Sequence, residues 1–391
     1  MELQEKYQQY KDFFFDNFID LNSNGRQAAT HIPASDVTLG QESKIVDFGD
    51  GTINMAEYLQ YLFTLTKIGE NVEDQSAWEL IVSTLIALQR LSKRAYLDAR
   101  LKFPGMEFDW EQGFFLRDDV SVSTFHQFNA TSIHSGYASS IELRDDEDPC
   151  YSPFVSQDQI WNLAPILAFE FNYLSIDDMK RQILSEMLKY VIDHGHTIYN
   201  PYYSTMKHYW TYCPTFNTEK VKPWDRKKDR KDHLKFDIKV KRGANNWYFA
   251  YGFRKTYNQI GVDRISSWRS FLYSLIYYPL VFVADRIWYP LLHGIFGKQK
   301  KDNSYYCLAT AGKVWYSGRK RYLKRVCKLF NKDTDHWNVA FLECMNQNNF
   351  KYIDFDILRK WLEEYPELKS EGTIASPIKF MTLYNYYKLF S

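Results

Sequence analysis

The sequence predicts an all-α fold, an (α/α) toroid of helical hairpins with long functional loops and room for a few short strands. Amphipathic segments, with apolar residues at three- and four-residue steps, recur along the chain. They alternate with segments that are apolar on all sides, and this alternation is typical of an inner ring of buried helices wrapped by an outer ring. Gly, Pro, Asn or Asp bounds most of these segments. We therefore expect one α/α-toroid domain over residues 1–391.

The first predicted hairpin joins helices at 54–67 and 74–97. The first helix is short and apolar, and Gly69 ends it. The second is amphipathic, and Asn71 or Asp74 is its expected N-terminal cap.

The second predicted hairpin follows the same pattern. Residues 157–171 are apolar almost all round, which predicts a deeply buried helix. An amphipathic helix is expected over 177–194, with a cap at Ser175, an acid three residues later at Asp178, and a stop at Gly195.

Further helices are expected at 262–278, 280–296, 320–330, 334–346 and 354–364. The loops over 98–156 and 196–262 are long, and loops of this length carry function or conceal short strands. Within the second loop, the dense charge of 219–242 predicts a solvated surface excursion.

Charge and hydropathy exclude two classes of partner. Lys and Arg number 49 against 48 Asp and Glu, so the chain has no broad basic field for nucleic acid. The longest apolar stretch, 271–296, is interrupted by Pro279 and by Asp285 with Arg286. A bilayer-spanning helix needs about 20 consecutive apolar residues, so two buried helices are expected here and no membrane span.

The five cysteines are far apart and form no C-x-x-C pair, which excludes a zinc ribbon or a redox pair. No metal site and no cofactor are predicted. The N-terminal residues lack the apolar region of a signal peptide, so the chain is either intracellular or has lost a leader.

Aromatic residues make up 18% of the chain. Such a density builds large cores, but Tyr and Trp also line sugar-binding clefts, because each has an apolar ring and a polar end.

The first candidate site is 113–120, in which two phenylalanines lead into Arg117, Asp118 and Asp119. Arg117 could keep one carboxylate ionised while burial keeps the other protonated, as an acid/base pair requires. The alternative is a salt-bridged loop anchor.

The second candidate is the start of the buried helix, where Gln157, Asp158 and Gln159 precede Trp161. Amides, a carboxylate and an indole together suit a polyol-binding corner, although Asp158 also complements the helix dipole. The third candidate is Glu57 beside Tyr58, since a Glu within an apolar helix needs an ionic partner or a ligand.

These motifs resemble an uncharacterised family of Bacteroidetes-type bacteria. The resemblance covers roughly residues 45–260 and is carried by 54–59, 87–91, 113–120, 156–159 and 246–253. The helical alternation also looks like the (α/α) toroid of six-hairpin glycosidases and related epimerases and lyases. That resemblance implies acidic and aromatic residues on loops at one end of the barrel.

We therefore expect a carbohydrate-active enzyme, a glycoside hydrolase acting on an oligosaccharide or glycan. One carboxyl protonates the leaving oxygen, and another activates water or attacks the sugar. The predicted catalytic residues are Asp118, Asp119 and Asp158. The predicted substrate-binding residues are Glu57, Tyr58, Phe115, Arg117, Gln157, Gln159 and Trp161. The alternatives are a non-catalytic glycan-binding or scaffold protein, and an epimerase or lyase with a base among His126, His134, His208 and Tyr209.

Overall fold

The computed structural model describes residues 2–22, 29–99, 101, 113–138, 154–193 and 354–391, with gaps at 73, 122–123, 125–126, 156 and 169–170. In this part of the chain the helices are α1 (Leu3–Asn17), α2 (Gly51–Ile68), α3 (Ala77–Arg94), α4 (Gln157–Ala168), α5 (Leu174–Asp193), α6 (Phe355–Glu364) and α7 (Ile378–Phe390). The strands are β1 (Asp36–Leu39), β2 (Lys44–Asp47), β3 (Asn71–Val72), β4 (Gln75–Ser76), β5 (Ser132–His134) and β6 (Gly372–Ala375).

The prediction of an all-α toroid is wrong, because four of the strands form a mixed sheet in the order β5-β2-β1-β6. Strands β1 and β2 are antiparallel, and β6 adds to β1 in the antiparallel sense. Strand β5 pairs with β2 in parallel. The sheet therefore joins segments from the two ends of the chain with a segment of the predicted loop 98–156.

One row of β-branched side chains crosses the buried face of this sheet. Val37 is paired with Val46 on one side and with Ile374 on the other, and Val46 is paired with Ile133. All four are buried, while most of the other strand residues are partly or fully exposed. This row attaches the sheet to the hydrophobic core.

The first predicted helical pair is present. Helix α2 ends at Gly69, whose left-handed φ of +71° suits glycine, as expected. Helix α3 begins later than predicted, because Ser76 accepts a hydrogen bond from the Glu79 amide and Glu79 bonds back to Ser76. This capping box corrects the expected caps at Asn71 and Asp74.

The other predicted helices that the structure describes differ from prediction mainly at their ends. Helix α4 ends at Ala168, within the predicted 157–171. Helix α5 starts at Leu174, three residues before the predicted start. Helix α6 matches its predicted range closely, and the Asp354 side chain caps it through the amides of Asp356 and Ile357.

Helices α1 and α7 were not predicted. They bring the first and the last described segments of the chain into contact. Helix α7 packs against α2, and α1 packs against α7. The buried Lys6 ammonium donates to the carbonyls of Leu362 (3.2 Å), Glu363 (3.1 Å) and Tyr365 at the end of α6. Lys6, on α1, thus caps the C-terminal end of α6.

None of the helices in the described part of the chain combines the length and the apolar composition that a membrane span requires. The predicted helices over 262–346, the stretch 271–296 and the charged segment 219–242 lie outside the described residues.

Candidate functional site

The predicted site segments at 113–120 and 154–159 lie side by side. Leu116 forms an antiparallel bridge with Phe154, and the amide of Val155 donates to the carbonyl of Phe115 over 3.0 Å. The Arg117 guanidinium joins these two segments to the loop before α2, because it donates to the carbonyls of Phe154 (2.8 Å) and Gly49 (3.2 Å). Arg117 therefore anchors two backbone segments.

The start of α2 lies against the segment that carries Arg117. The carbonyl oxygen of Arg117 would lie 2.6 Å from a Cβ atom built on Gly51, so only glycine allows this approach. The buried amide of Gln159 lies 3.5 Å from the Gly49 carbonyl. The structure thus brings together parts of the first two predicted sites, and their contacts are largely with backbone.

Asp119 is enclosed by cations. Its carboxylate is fully buried and accepts from Arg90 at 2.6 Å (Nε) and 3.0 Å (Nη2). The Nε atom of Arg94 lies 3.3 Å from Oδ2, and the amide of Ala29 donates to Oδ1 over 3.3 Å. Both carboxylate oxygens are therefore engaged within the protein, as in the alternative of a salt-bridged anchor.

Asp118 is also fully buried, but no cation of the described chain donates to it. Its Oδ1 bonds with Ser135 Oγ and accepts from the amide of Val120 (3.1 Å), and its Oδ2 accepts from the amide of Gly136 (3.2 Å). Burial raises the pKa of the Asp118 carboxyl to about 7.

Arg117, predicted to keep one of the two carboxylates ionised, instead donates to backbone carbonyls, and Arg90 and Arg94 pair with Asp119. Both carboxyls are closed to a substrate in this arrangement.

Glu57 has an ionic partner at the protein surface. It is almost fully buried on α2, and its Oε1 lies 3.5 Å from Nζ of Lys379, which is about half exposed. Burial raises the pKa of Glu57, and the charge of Lys379 acts in the opposite direction. Lys379 is therefore an ionic partner of this buried carboxylate.

Two of the three aromatic residues predicted to bind sugar belong to the core. Tyr58 and Phe115 are at most 1% exposed, so neither offers a ring face to a ligand. The backbone of Gln157, Asp158 and Trp161 lies in α4, but their side chains are outside the described residues. The catalytic role of Asp158 and the binding roles of Gln157 and Trp161 stay predictions.

The epimerase or lyase alternative depended on four possible bases. Of these, His134 lies on β5, with its Nδ1 atom 3.7 Å from Oδ2 of Asp47. His126, His208 and Tyr209 lie outside the described residues.

A stacked aromatic pair with one exposed ring lies elsewhere on the surface and was not predicted as a site. The rings of Trp78, in the first turn of α3, and Tyr173, just before α5, stack with centroids 5.0 Å apart and an interplanar angle of 26°. Tyr173 is 48% exposed and Trp78 is partly exposed. We call this pair the aromatic platform.

A buried carboxylate fixes the backbone that carries Tyr173. Asp177 accepts from the amides of Phe171 (2.7 Å) and Tyr173 (3.1 Å) and from Nζ of Lys180 (3.1 Å). Asn172, between these amides, has a left-handed φ of +60°, which asparagine tolerates better than most residues. The exposed ring therefore extends from a fixed turn.

Polar and apolar groups flank the aromatic platform along α5. Leu174 is 76% exposed and directly follows Tyr173. Asp178 and Arg181, four and seven residues later, belong to the same helix face and form an exposed ion pair at 3.2 Å. An apolar surface bordered by hydrogen-bonding groups is suited to an amphipathic ligand.

The sequence contained one sign of this surface. Ser175-Ile176-Asp177-Asp178 predicts a helix start, and Tyr173 and Leu174 directly precede it. A bulky Tyr-Leu pair at a helix start, outside the apolar stripe, is the pattern that could have pointed to it.

Comparison with known protein families, curated proteins and solved structures finds no match for this chain. Among the described residues, no group of three or more His, Cys, Asp or Glu side chains could hold a metal ion.

Proposed function

We propose that this protein binds an oligosaccharide without cleaving it, on the aromatic platform of Trp78 and Tyr173. The observation that carries the proposal is the Tyr173 ring, 48% exposed and stacked on Trp78. Tyr and Trp combine an apolar ring face, which packs on the C–H face of a sugar, with a polar group that bonds to hydroxyls.

The fixed turn before α5 supports this proposal. A ligand that orders a loop on binding loses affinity through the entropy of ordering, and a turn that is already held avoids that loss. Asp177 bonds to the amides on both sides of Asn172, so the Tyr173 backbone is fixed before a ligand arrives.

The enclosed carboxyls favour binding over cleavage. Glycoside hydrolysis uses two carboxyl groups on either side of the scissile bond, both open to the sugar. All four oxygens of Asp118 and Asp119 already have partners within the protein. Cleavage is still the first prediction from the sequence. Because the oxygens of Asp118 and Asp119 are already bonded, it would depend on Asp158.

A thermal-shift screen against a panel of neutral and acidic oligosaccharides, followed by chromatography of the sugars, tests the proposal. A ligand at one hundred times its Kd should stabilise the protein by about 2.7 kcal/mol. We expect at least one oligosaccharide to raise the melting temperature of the wild type and not that of Tyr173→Ala, with the sugar recovered intact.

Tyr96→Ala is the matched control, because Tyr96 is also an exposed tyrosine (40%) and lies on the π-helical turn after α3. It should keep the ligand-induced shift. Recovery of shortened sugars would favour the hydrolase instead. A shift that Tyr173→Ala retains, or the absence of any shift, would overturn the proposed function.

A further inference from the structure

Strand β6 forms one edge of the four-stranded sheet, because β1 is its only neighbouring strand in the described part of the chain. Directly after β6, the amide of Ser376 donates to the carbonyl of Ser35 over 3.1 Å. The backbone groups of successive residues in an antiparallel strand point alternately to its two sides. The amides and carbonyls of Thr373 and Ala375 therefore point away from β1. We call these two residues the β6 edge.

The β6 edge is open to solvent. Thr373 and Ala375 are both exposed, and no hydrogen bond between described residues uses their outward backbone groups. Two amides and two carbonyls in strand spacing are the groups with which an added extended chain pairs. The β6 edge can therefore accept a further strand of about five residues, which extends the sheet.

A row of side chains crosses the sheet beside this edge. Ala375 is paired with Asp36, Asp36 with Asp47, and Asp47 with His134. Paired residues of neighbouring strands project to the same face of a sheet. Val37, the next residue after Asp36, belongs to the buried face, so the row lies on the opposite, open face. Two carboxylates therefore lie on the open face within two strands of the β6 edge.

The Asp36 carboxylate has acidic neighbours and lacks a cation. Burial raises the pKa of the Asp36 carboxyl, and the charges of Asp47 and Asp50 raise it further. Among the described residues no lysine or arginine lies within ion-pair distance of Asp36, and Lys379, four residues after the β6 edge, pairs with Glu57. A cation supplied by a ligand would therefore be stabilised here.

The spacing of the strands fits an arginine or lysine on the added strand. A residue added opposite Ala375 would project to the open face, with its Cα atom about 10 Å from that of Asp36. Because Ala375 has only a methyl group, a long basic side chain can extend over it to the carboxylate. The next residue of the added strand would project to the other face, beside the buried Ile374. An alternation of basic and apolar residues therefore matches this edge.

We propose that the β6 edge binds an extended segment of a partner protein by strand addition, with a basic side chain of that segment paired with Asp36. The backbone of the segment bonds to Thr373 and Ala375. Its basic residues lie on the open face, and its apolar residues lie beside Ile374. The backbone bonds supply affinity, and the charge pair sets the register.

A capped, fluorescently labelled peptide of sequence Val-Arg-Val-Arg-Val is the probe, and its anisotropy is measured on titration with the full chain. We expect saturable binding. N-methylation of the two arginine amides, which would face the β6 edge, should abolish it. N-methylation of the central valine amide, which would face away, should leave it in place. No binding of the parent peptide, or equal binding of the two methylated peptides, would overturn the proposal.

Variants of the protein test the charge pair. Asp36→Asn should weaken binding at least about fivefold, because it removes the charge that the arginine reaches. Glu42→Gln is the matched control, since it removes the same charge from the exposed turn between β1 and β2, and it should leave the Kd unchanged. Equal losses in the two variants would show general charge attraction and overturn the proposal.

Ala375→Pro tests the edge itself, because it removes an outward amide that β1 does not use. It should abolish binding of the peptide. If this variant does not fold, the methylated peptides decide the question with the wild type alone. A dimer of the wild type that Ala375→Pro separates, seen by sedimentation, would assign the edge to a second copy of the chain and overturn the proposal.

Discussion

The Nε atom of Arg90 lies 2.6 Å from Oδ2 of Asp119, with the arginine side chain 10% exposed and the carboxylate fully buried. Removing one partner of a buried ion pair leaves the other charge without compensation, which costs about 3–5 kcal/mol. The pair is therefore structural, and it joins α3 to the segment that carries Asp118.

Asp119→Asn should lower the free energy of unfolding by about 3 kcal/mol or more, because Arg90 and Arg94 lose their shared negative charge. Urea unfolding of the variant and the wild type measures the difference. Glu363→Gln is the matched control, since it breaks a 2.8 Å pair with Arg359 that is exposed on α6. It should cost less than about 1 kcal/mol. Equal costs for the two variants would contradict a structural role for the buried pair.

Stability should fall as the pH rises from about 5 to 8. The folded-state pKa of Asp118 is raised to about 7. Over most of this interval the folded protein holds the proton and the unfolded chain does not, so the free energy of unfolding falls as the pH rises. The expected loss from this group is on the order of 2–3 kcal/mol.

Urea unfolding at pH 5 and pH 8 should show a smaller loss in Asp118→Asn than in the wild type. The difference between the two proteins isolates Asp118 from other groups that titrate, including Glu57 and Asp36, whose pKa values are also raised by burial. Parallel pH profiles for the two proteins would contradict the assignment.

Lys6→Met should destabilise the protein by about 3 kcal/mol, because three backbone carbonyls at the end of α6 lose a charged donor. Lys11→Met, on the same helix, removes an exposed bond to the Asn71 carbonyl and should change stability by no more than about 0.5 kcal/mol. Urea unfolding compares the two. A small effect of Lys6→Met would show that the ends of the chain are held without this cap.

The helices were predictable where the apolar pattern is long and its ends are marked. Gly69 and Asp354 mark an end of α2 and the start of α6, and both act as their residue types suggest. The sheet was not predictable, because its strands have three or four residues and each has one buried central side chain. Two alternations of polarity are too few to distinguish a strand from a loop.

The candidate site, too, was predictable only in part. The sequence identified Asp118 and Asp119 as unusual, and their environments do differ. Their burial could not be predicted, because the two arginines that engage Asp119, Arg90 and Arg94, lie far earlier in the chain, on α3. The exposure of Tyr173 could not be predicted either. A tyrosine next to a helix is buried or exposed according to the hydrogen bonds that fix the adjacent turn.

Titration of the best oligosaccharide from the screen into the wild type, Tyr173→Ala and Tyr96→Ala tests the central claim most directly. Isothermal calorimetry gives the three dissociation constants, and melting temperatures without ligand show that each variant is folded. We predict that Tyr173→Ala weakens binding at least tenfold, about 1.4 kcal/mol, while Tyr96→Ala leaves the Kd within a factor of two. Equal affinity of Tyr173→Ala and the wild type would contradict binding at the aromatic platform.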